Sequence, residues 1–395
     1  MNQRLADLCD RLDGAGIDAA LLLHHRDVLY YAGTARPASL LVVSAGSSPP
    51  ATSRGAVLFV RRGREAARNE ATVQDVVPMR GFSTITRAAA ELGLERGVLG
   101  VELDTTSAQL YSRVQEAFAD WDTADVSPLI LEQRMVKDDG EIEAMRRAAA
   151  AADAGHRALA RTAAAGVSEL ELAAAVERAM RLAGHEGYQP LRHPEARGGG
   201  VLLMSGENLT VRGGHGLVVT GGGLSAATPY GTSRRVLQRG DLIVLDIGSI
   251  RDGYTSDESR TYVVGPPTEA QEALFGVALA AEEALLARMR PGVPVAELCS
   301  AAEAVVDRGA APFFSAGSLS LPGFVGHGIG LELDEPPVLW PRSDERLQEG
   351  MVLAIEIEVS APGDETMAKM EDTVAVTSDG FEMLTDAPRG LTVCG

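Results

Sequence analysis

The segment "LIVLDIGSIRDGYTSDESRTYVV", residues 242–264, contains the most informative pattern in this sequence. Two apolar runs flank the turn-forming letters RDG, and this pattern predicts a β-hairpin. If Arg251 and Asp252 form the loop, Asp246 lies directly opposite Asp257; if Asp252 and Gly253 form it, the two aspartates are diagonal neighbours. In both registers their carboxylates share one face of the sheet, about 5–8 Å apart.

A second predicted hairpin, "AIEIEVSAPGDETMAKMEDTVAV" at 354–376, repeats this arrangement. Glu356 lies opposite Glu371 if the chain turns at Gly363 and Asp364, or in a longer loop of the same parity. Two ionised carboxylates that are close and partly buried repel each other. One of each pair must therefore take up a proton, or both must bind a cation.

A histidine, His327, stands between glycines in "VGHGIGLELDE", where a backbone can approach a ligand closely. Four carboxylates and one imidazole suit Mn²⁺, Fe²⁺, Co²⁺ or Zn²⁺, and they are too many for one ion that keeps an open position. We therefore expect two ions that share bridging carboxylates, polarise a carbonyl group and activate water. Each residue alone has an ordinary structural explanation, but the matching parity of two hairpins favours the metal hypothesis.

The composition narrows the class of protein. The chain has 395 residues, of which 45% are hydrophobic, and its formal charge is −19. Such a charge disfavours nucleic acid and anionic membrane surfaces, and no run reaches the roughly 18 apolar residues of a membrane span. The three separated cysteines and an N-terminal segment with scattered charges predict a cytoplasmic protein.

The length predicts two domains, with a boundary near residue 130. Residues 1–130 show alternating helix and strand patterns: helices at 3–13 and 107–118, and strands at 17–23, 39–44 and 56–60. Residues 138–184 predict two helices, the second capped by Ser168. A glycine-rich tract at 197–223 follows. Beyond it we predict strands at 241–249, 259–264, 351–359 and 372–376, and helices at 268–289 and 294–309.

Nearly the whole chain resembles the "pita-bread" metallopeptidase family, which includes methionine aminopeptidase, Xaa-Pro dipeptidase, aminopeptidase P and creatinase. The similar segments are the first hairpin, "GHGIGLELDEPP", "GMVLAIEIEVSAPG" and "KMEDTVAVTSDGFEMLT". The N-terminal third is similar to the creatinase and prolidase amino-terminal domain. The resemblance implies an α/β (α+β) fold: a creatinase-like α/β domain at 1–130, then a curved antiparallel sheet flanked by helices at 131–395.

The resemblance also implies the site. It implies a dinuclear Mn, Co, Fe or Zn centre with five ligands: Asp246, Asp257, His327, Glu356 and Glu371. In this centre Asp257 and Glu371 would bridge the two ions, and Glu356 would also act as a proton shuttle. The implied activity is hydrolysis of small peptides by a dipeptidase or aminopeptidase of Xaa-Pro type. Family members with this N-terminal domain are commonly homodimers, and we expect one here.

Two positions depart from the family pattern. Tyr230 and Asp334 stand where its peptidases usually carry histidines. Asp334 either contacts a metal ligand or a cationic substrate, or is a turn residue before Pro336. His215 either supplies a missing imidazole or is a solvated loop residue. These departures leave two alternatives. One is a creatinase-like C–N hydrolase or lyase that acts on a small non-peptide substrate, including a cationic one, and the other is a non-catalytic pseudo-peptidase binding module.

Overall fold

The computed structural model describes residues 3–47, 55–192, 201–211, 221–364 and 366–395. The chain separates into two compact units, Met1–Arg134 and Met135–Gly395, where the sequence predicts a boundary near 130. Within the described ranges, no helix combines the length and the apolar character that crossing a membrane requires.

The N-terminal unit alternates helices with the strands of a six-stranded sheet. The sheet order is β4-β3-β2-β1-β5-β6, with β2 antiparallel to β1 and β3, and the other neighbours parallel. Its helices are α1 (Gln3–Gly14), α2 (His25–Ala32), α3 (Arg64–Glu70), α4 (Phe82–Glu91), α5 (Ala108–Ala117) and α6 (Ser127–Met135). Its strands are β1 (Ala19–Leu22), β2 (Ala38–Val43), β3 (Ala56–Val60), β4 (Asp75–Pro78), β5 (Gly97–Val101) and β6 (Trp121–Asp125).

In its described residues, the C-terminal unit packs four α-helices against a larger sheet. The helices are α7 (Asp139–Thr162), α8 (Glu169–Leu182), α9 (Glu269–Leu286) and α10 (Val295–Val306). The strands are β7 (Leu202–Ser205), β8 (Leu242–Arg251), β9 (Tyr254–Val264), β10 (Gly326–Gly328), β11 (Glu335–Val338), β12 (Val352–Ser360), β13 (Met367–Val376), β14 (Phe381–Met383) and β15 (Thr392–Cys394). The main path is β11-β10-β12-β13-β9-β8-β7, while β14 pairs with β13 and β15 with β9.

The predicted break between the first two helices of this unit is confirmed. Ser168 accepts a hydrogen bond from the backbone N–H of Glu171, and the Glu171 side chain accepts from the backbone of Ser168. This capping box satisfies two N–H groups that the first turn of α8 leaves without helical partners. Asp138 and Glu141 form the same motif at the start of α7.

Alternation along the strands separates an apolar face from a polar one. Leu353, Ile355 and Ile357 of β12 pack in the core that α9 and α10 cover, whereas Glu356 points to the opposite face. Ile243, Leu245 and Ile247 of β8 pack against α7 and α8 in the same way. The helices therefore cover one face, and the four candidate ligand carboxylates of the two hairpins lie on the other.

The junction between β9 and β13 depends on side chains as well as backbone. The backbones pair at Glu371 and Ser259. At the next positions along the two strands, threonine hydroxyls bridge the backbones. The Thr373 hydroxyl accepts from the N–H of Asp257 (2.9 Å) and donates to its carbonyl (2.7 Å), and Thr261 does the same with the backbone of Lys369. These hydroxyls supply hydrogen-bond partners to buried peptide groups, in place of backbone hydrogen bonds between the two strands.

We predict that Thr373→Val lowers the free energy of unfolding of the metal-free protein by about 1–3 kcal/mol, because the buried N–H and C=O of Asp257 lose their hydroxyl partner. Denaturant unfolding measures the effect. The matched control is Thr162→Val, which removes an exposed hydroxyl that bonds only within α7; its effect should stay within about 0.5 kcal/mol. Equal stabilities of the two variants would contradict the role assigned to Thr373.

Candidate metal centre

The first hairpin adopts the second of the two registers considered from the sequence. Asp252 and Gly253 form the loop with positive φ angles of 54° and 81°, as a type I′ turn requires. Asp246 then pairs with Ser259, and Asp257 pairs with Gly248. The two aspartates are diagonal neighbours on one face, and Asp257 is the more deeply buried of the two.

The predicted pairing of the second hairpin is confirmed, although its loop is longer than two residues. Glu356 pairs directly with Glu371, and the last pair before the loop joins Ser360 to Met367. Directly opposed residues in an antiparallel ladder point to the same face, so the two glutamates lie side by side. Both are buried, and the side chain of Glu371 is only 1% exposed.

His327 reaches the same face from β10, where it pairs with Ala354 of β12. The glycines beside it let neighbouring backbones approach: a Cβ atom on Gly326 would lie 2.2 Å from the carbonyl oxygen of Ala354, and one on Gly328 would lie 2.2 Å from that of Pro336. His327 Nδ1 lies 3.0 Å from the carbonyl oxygen of Gly328. That contact leaves Nε2 available as a ligand atom.

The five predicted ligands converge into two overlapping groups. In each group, ligand atoms from all three side chains lie within 4.8 Å of one another. We call Asp257, His327 and Glu371 the histidine group, and Asp246, Glu356 and Glu371 the carboxylate group. Glu371 belongs to both, which is the position a bridging ligand would take. Asp257 belongs to the histidine group, so its bridging role stays a prediction.

Burial makes this cluster electrostatically costly. Burial raises the pKa of the Asp257 carboxyl well above its usual range, and the nearby Glu371 and Asp246 carboxylates raise it further. Burial, together with Glu356 and Asp246, raises the pKa of Glu371 to about 8, although Lys369 acts in the opposite direction. Burial and mutual repulsion therefore favour the protonated forms of Asp257 and Glu371 unless a cation lies among the carboxylates.

Lys369 is a member of this cluster that our sequence analysis missed. Its buried ammonium lies 2.5 Å from an Asp246 oxygen and 3.5 Å from a Glu371 oxygen, and it also forms an ion pair with Glu356. Burial lowers the pKa of Lys369, but Asp246 and then Glu356 outweigh this effect and raise it well above its usual value. The sequence did contain a signal for this residue, because Lys369 lies two positions before Glu371 in the second predicted hairpin and residues at that spacing in a strand share a face.

The back of the cluster is fixed by further polar contacts. The Ser259 hydroxyl donates to Glu371 Oε2 at 2.6 Å. Arg260, on the helix-covered face, donates to the backbone carbonyl of Glu371 at 2.6 Å and to the carboxylate of Asp372. These contacts hold the Glu371 backbone and one of its carboxylate oxygens in place.

The remaining predicted residues have different positions. The Asp334 carboxylate is 64% exposed and lies 3.5 Å from His327 Nδ1. Burial lowers the pKa of His327, but Asp334, followed by Glu356 and Glu371, raises it on balance. Tyr230 is half-buried, and the adjoining Gly231 lies against Leu202, the strand partner of Asp246. His215 lies outside the described residues.

The donor set fits divalent cations. Glu371 Oε1 is buried and has no hydrogen-bond partner among the described residues, although its other oxygen accepts from Ser259. A buried carboxylate oxygen without a partner is unfavourable unless a cation binds it. Carboxylates with one imidazole are ordinary ligands of Mn²⁺, Co²⁺, Fe²⁺ and Zn²⁺.

Comparison with known proteins agrees with this geometry. Residues 143–378 match the model of metallopeptidase family M24, and residues 4–136 match that of the creatinase/prolidase N-terminal domain. The chain is 28% identical to the Xaa-Pro dipeptidase of Pyrococcus furiosus over 99% of this chain and 100% of that protein.

Solved structures of similar proteins share the architecture. The Xaa-Pro dipeptidase from Bacillus anthracis superimposes with a TM-score of 0.82 at 27% identity and covers 99% of both chains. The X-Pro aminopeptidase from Thermotoga maritima gives a TM-score of 0.79 at 25% identity, over 97% of this chain and 100% of that chain. These matches confirm the predicted mixed fold, with its creatinase-like domain followed by a pita-bread domain. The chain belongs to metallopeptidase family M24.

Proposed function

We propose that this chain uses two divalent ions to hydrolyse Xaa-Pro dipeptides. The observation that carries the proposal is Glu371, which completes both the histidine group and the carboxylate group. Relatives that span almost the whole chain carry the name Xaa-Pro dipeptidase. They support the peptidase reading over the creatinase-like and pseudo-peptidase alternatives.

The roles of the residues follow from their burial. When bound, the ions would polarise the scissile carbonyl and activate water. Glu371, with its side chain 1% exposed, holds its position between the groups, whereas Glu356 is 9% exposed and shares the face with Asp246. Of these two glutamates, Glu356 has the more exposed side chain, which suits proton transfer to a substrate, so we assign Glu356 the shuttle role in addition to ligation.

Asp334 is proposed to orient His327. Metal-binding imidazoles usually donate their second ring N–H to a carbonyl or carboxylate, which fixes the ring and raises its basicity. The carbonyl of Gly328 and the carboxylate of Asp334 both lie on the Nδ1 side of this ring. Catalytic roles for Tyr230 and His215 stay predictions.

The metal identity, the oligomeric state and the location also stay predictions. A ligand set with four carboxylates and one imidazole favours Mn²⁺ or Co²⁺ over metals that prefer thiolates. A homodimer is our expectation from the family resemblance. The cytoplasmic location is our expectation from the three cysteines and the charged N-terminal segment.

We predict that Glu371→Gln reduces bound metal in both positions and lowers kcat/KM by more than about 100-fold, because a shared ligand is lost. Asp246→Asn should weaken metal binding by the carboxylate group and leave the histidine group able to bind an ion. Elemental analysis after dialysis against Mn²⁺ measures the metal content. The control is Asp344→Asn, which changes an exposed aspartate outside both groups and should keep the full metal content. Full metal content in Glu371→Gln would refute the shared site.

The proposed reaction is tested with pairs of dipeptides that share the first residue and differ in the second. We expect Mn²⁺- or Co²⁺-dependent release of proline from Xaa-Pro dipeptides and slower release of alanine from the corresponding Xaa-Ala dipeptides. Amino-acid analysis of the products measures both. Turnover of creatine, or no turnover of any dipeptide by metal-loaded protein, would count against the proposed substrate class.

We predict that Asp334→Ala weakens metal binding about tenfold, since the imidazole loses one of the acceptors that orient it. Asp334→Asn, which keeps an acceptor oxygen without the charge, should lie between Asp334→Ala and the wild type. Competition with a fluorescent chelator gives the dissociation constants. Unchanged constants in Asp334→Ala would show that the Gly328 carbonyl alone orients His327.

A further inference from the structure

The chain uses lysine at two positions only. Of its 36 basic residues, Lys137 and Lys369 are lysines and the other 34 are arginines. Both lysines are buried and paired with carboxylates, Lys137 with Glu335 and Lys369 with three members of the candidate metal centre. Every exposed cation in the described part of the chain is therefore an arginine or a histidine, and lysine occurs where a compact charge is enclosed.

The contacts of Lys369 select one of the two metal positions. Its ammonium pairs with Asp246, Glu356 and Glu371, which together make up the carboxylate group. Among the described residues, Lys369 makes no ion pair with Asp257, and His327 carries no opposite charge. The ammonium thus lies where an ion bound by the carboxylate group would lie.

The chemistry of the ammonium explains how it can take this place. It is a compact point charge with three donors arranged around a tetrahedral nitrogen, whereas a guanidinium is planar and larger. An ammonium can therefore lie between three converging carboxylates much as a small cation does. Among the described residues, neither Asp257 nor His327 of the histidine group forms an ion pair with a lysine or arginine. Glu371, which both groups share, has one buried oxygen without a hydrogen-bond partner in that part of the chain.

We propose that the Lys369 ammonium competes with a divalent ion for the carboxylate group, so that the histidine group fills first and the second ion enters only as Lys369 withdraws. The inference rests on the proposed metal centre. Its physical basis is that the ammonium and the ion share the same three carboxylates and repel each other at short range. Lys369 is in this sense a positioning residue that sets the order of metal loading.

The presence of only two lysines makes the order directly observable. Chelator-stripped full-length protein with ¹³Cε-labelled lysine would show one side-chain signal from Lys369 and one from Lys137. During titration with diamagnetic Zn²⁺, we expect the Lys369 signal to stay constant through the first equivalent and to shift during the second. Lys137 serves as the internal control and should not move. A Lys369 signal that shifts with the first ion, or with neither, would overturn the inference.

Variants test the same competition by affinity. Lys369→Met keeps the length of the side chain and removes its charge, so calorimetric titration should show the second ion binding at least about tenfold more tightly than in the wild type. Lys137→Met, the matched control, should leave both dissociation constants unchanged.

The outcomes separate this inference from the proposed function. Lys369→Met could bind two ions with a dissociation constant for the second ion within about twofold of the wild-type value. Such a change is too small to reflect the loss of a neighbouring charge, and it would overturn the role of Lys369 alone. Absence of metal binding by the wild type would overturn both proposals. The expected loading order together with no dipeptide hydrolysis would support the role of Lys369 and contradict the proposed reaction.

Discussion

The mutual repulsion of buried carboxylates is the constraint on which the C-terminal unit depends. Asp246, Asp257, Glu356 and Glu371 project from four strands toward one place, and burial there raises the cost of every negative charge. The fold tolerates this arrangement because cations can lie between the groups. Lys369 supplies one such charge from within the chain, and the ligand set suits divalent ions for the rest.

This concentration of charge needs a rigid support, and the sheet supplies it in an unusual way. At the junction of β9 and β13, Thr261 and Thr373 insert hydroxyls between the two backbones, and Arg260 holds the carbonyl of Glu371 from behind. Such contacts fix peptide groups without requiring continuous ladder pairing. The two hairpins therefore approach closely at the one backbone pair described between them, Glu371 with Ser259.

The surroundings of His327 show how one family fold accommodates a different residue. Where peptidases that the sequence resembles usually carry a histidine, this chain has an exposed aspartate within 3.5 Å of the imidazole. A carboxylate there adds negative charge at the edge of the centre and strengthens the basicity of the ring. The same geometry is compatible with peptide hydrolysis, because the ligand groups themselves are complete.

Local patterns in the sequence were enough to predict the two hairpins and the capped helix pair, because strand alternation, turn composition and capping act over a few residues. The set of five candidate ligands depended in addition on the family resemblance. The sequence analysis left two registers open for Asp246 and Asp257, and it overlooked Lys369. Tertiary structure decided both. The turn closes at Asp252 and Gly253, where both residues adopt positive φ angles, and Lys369 meets carboxylates that come from two other strands. Contacts between distant strands depend on how the sheet closes, and no local pattern records that closure.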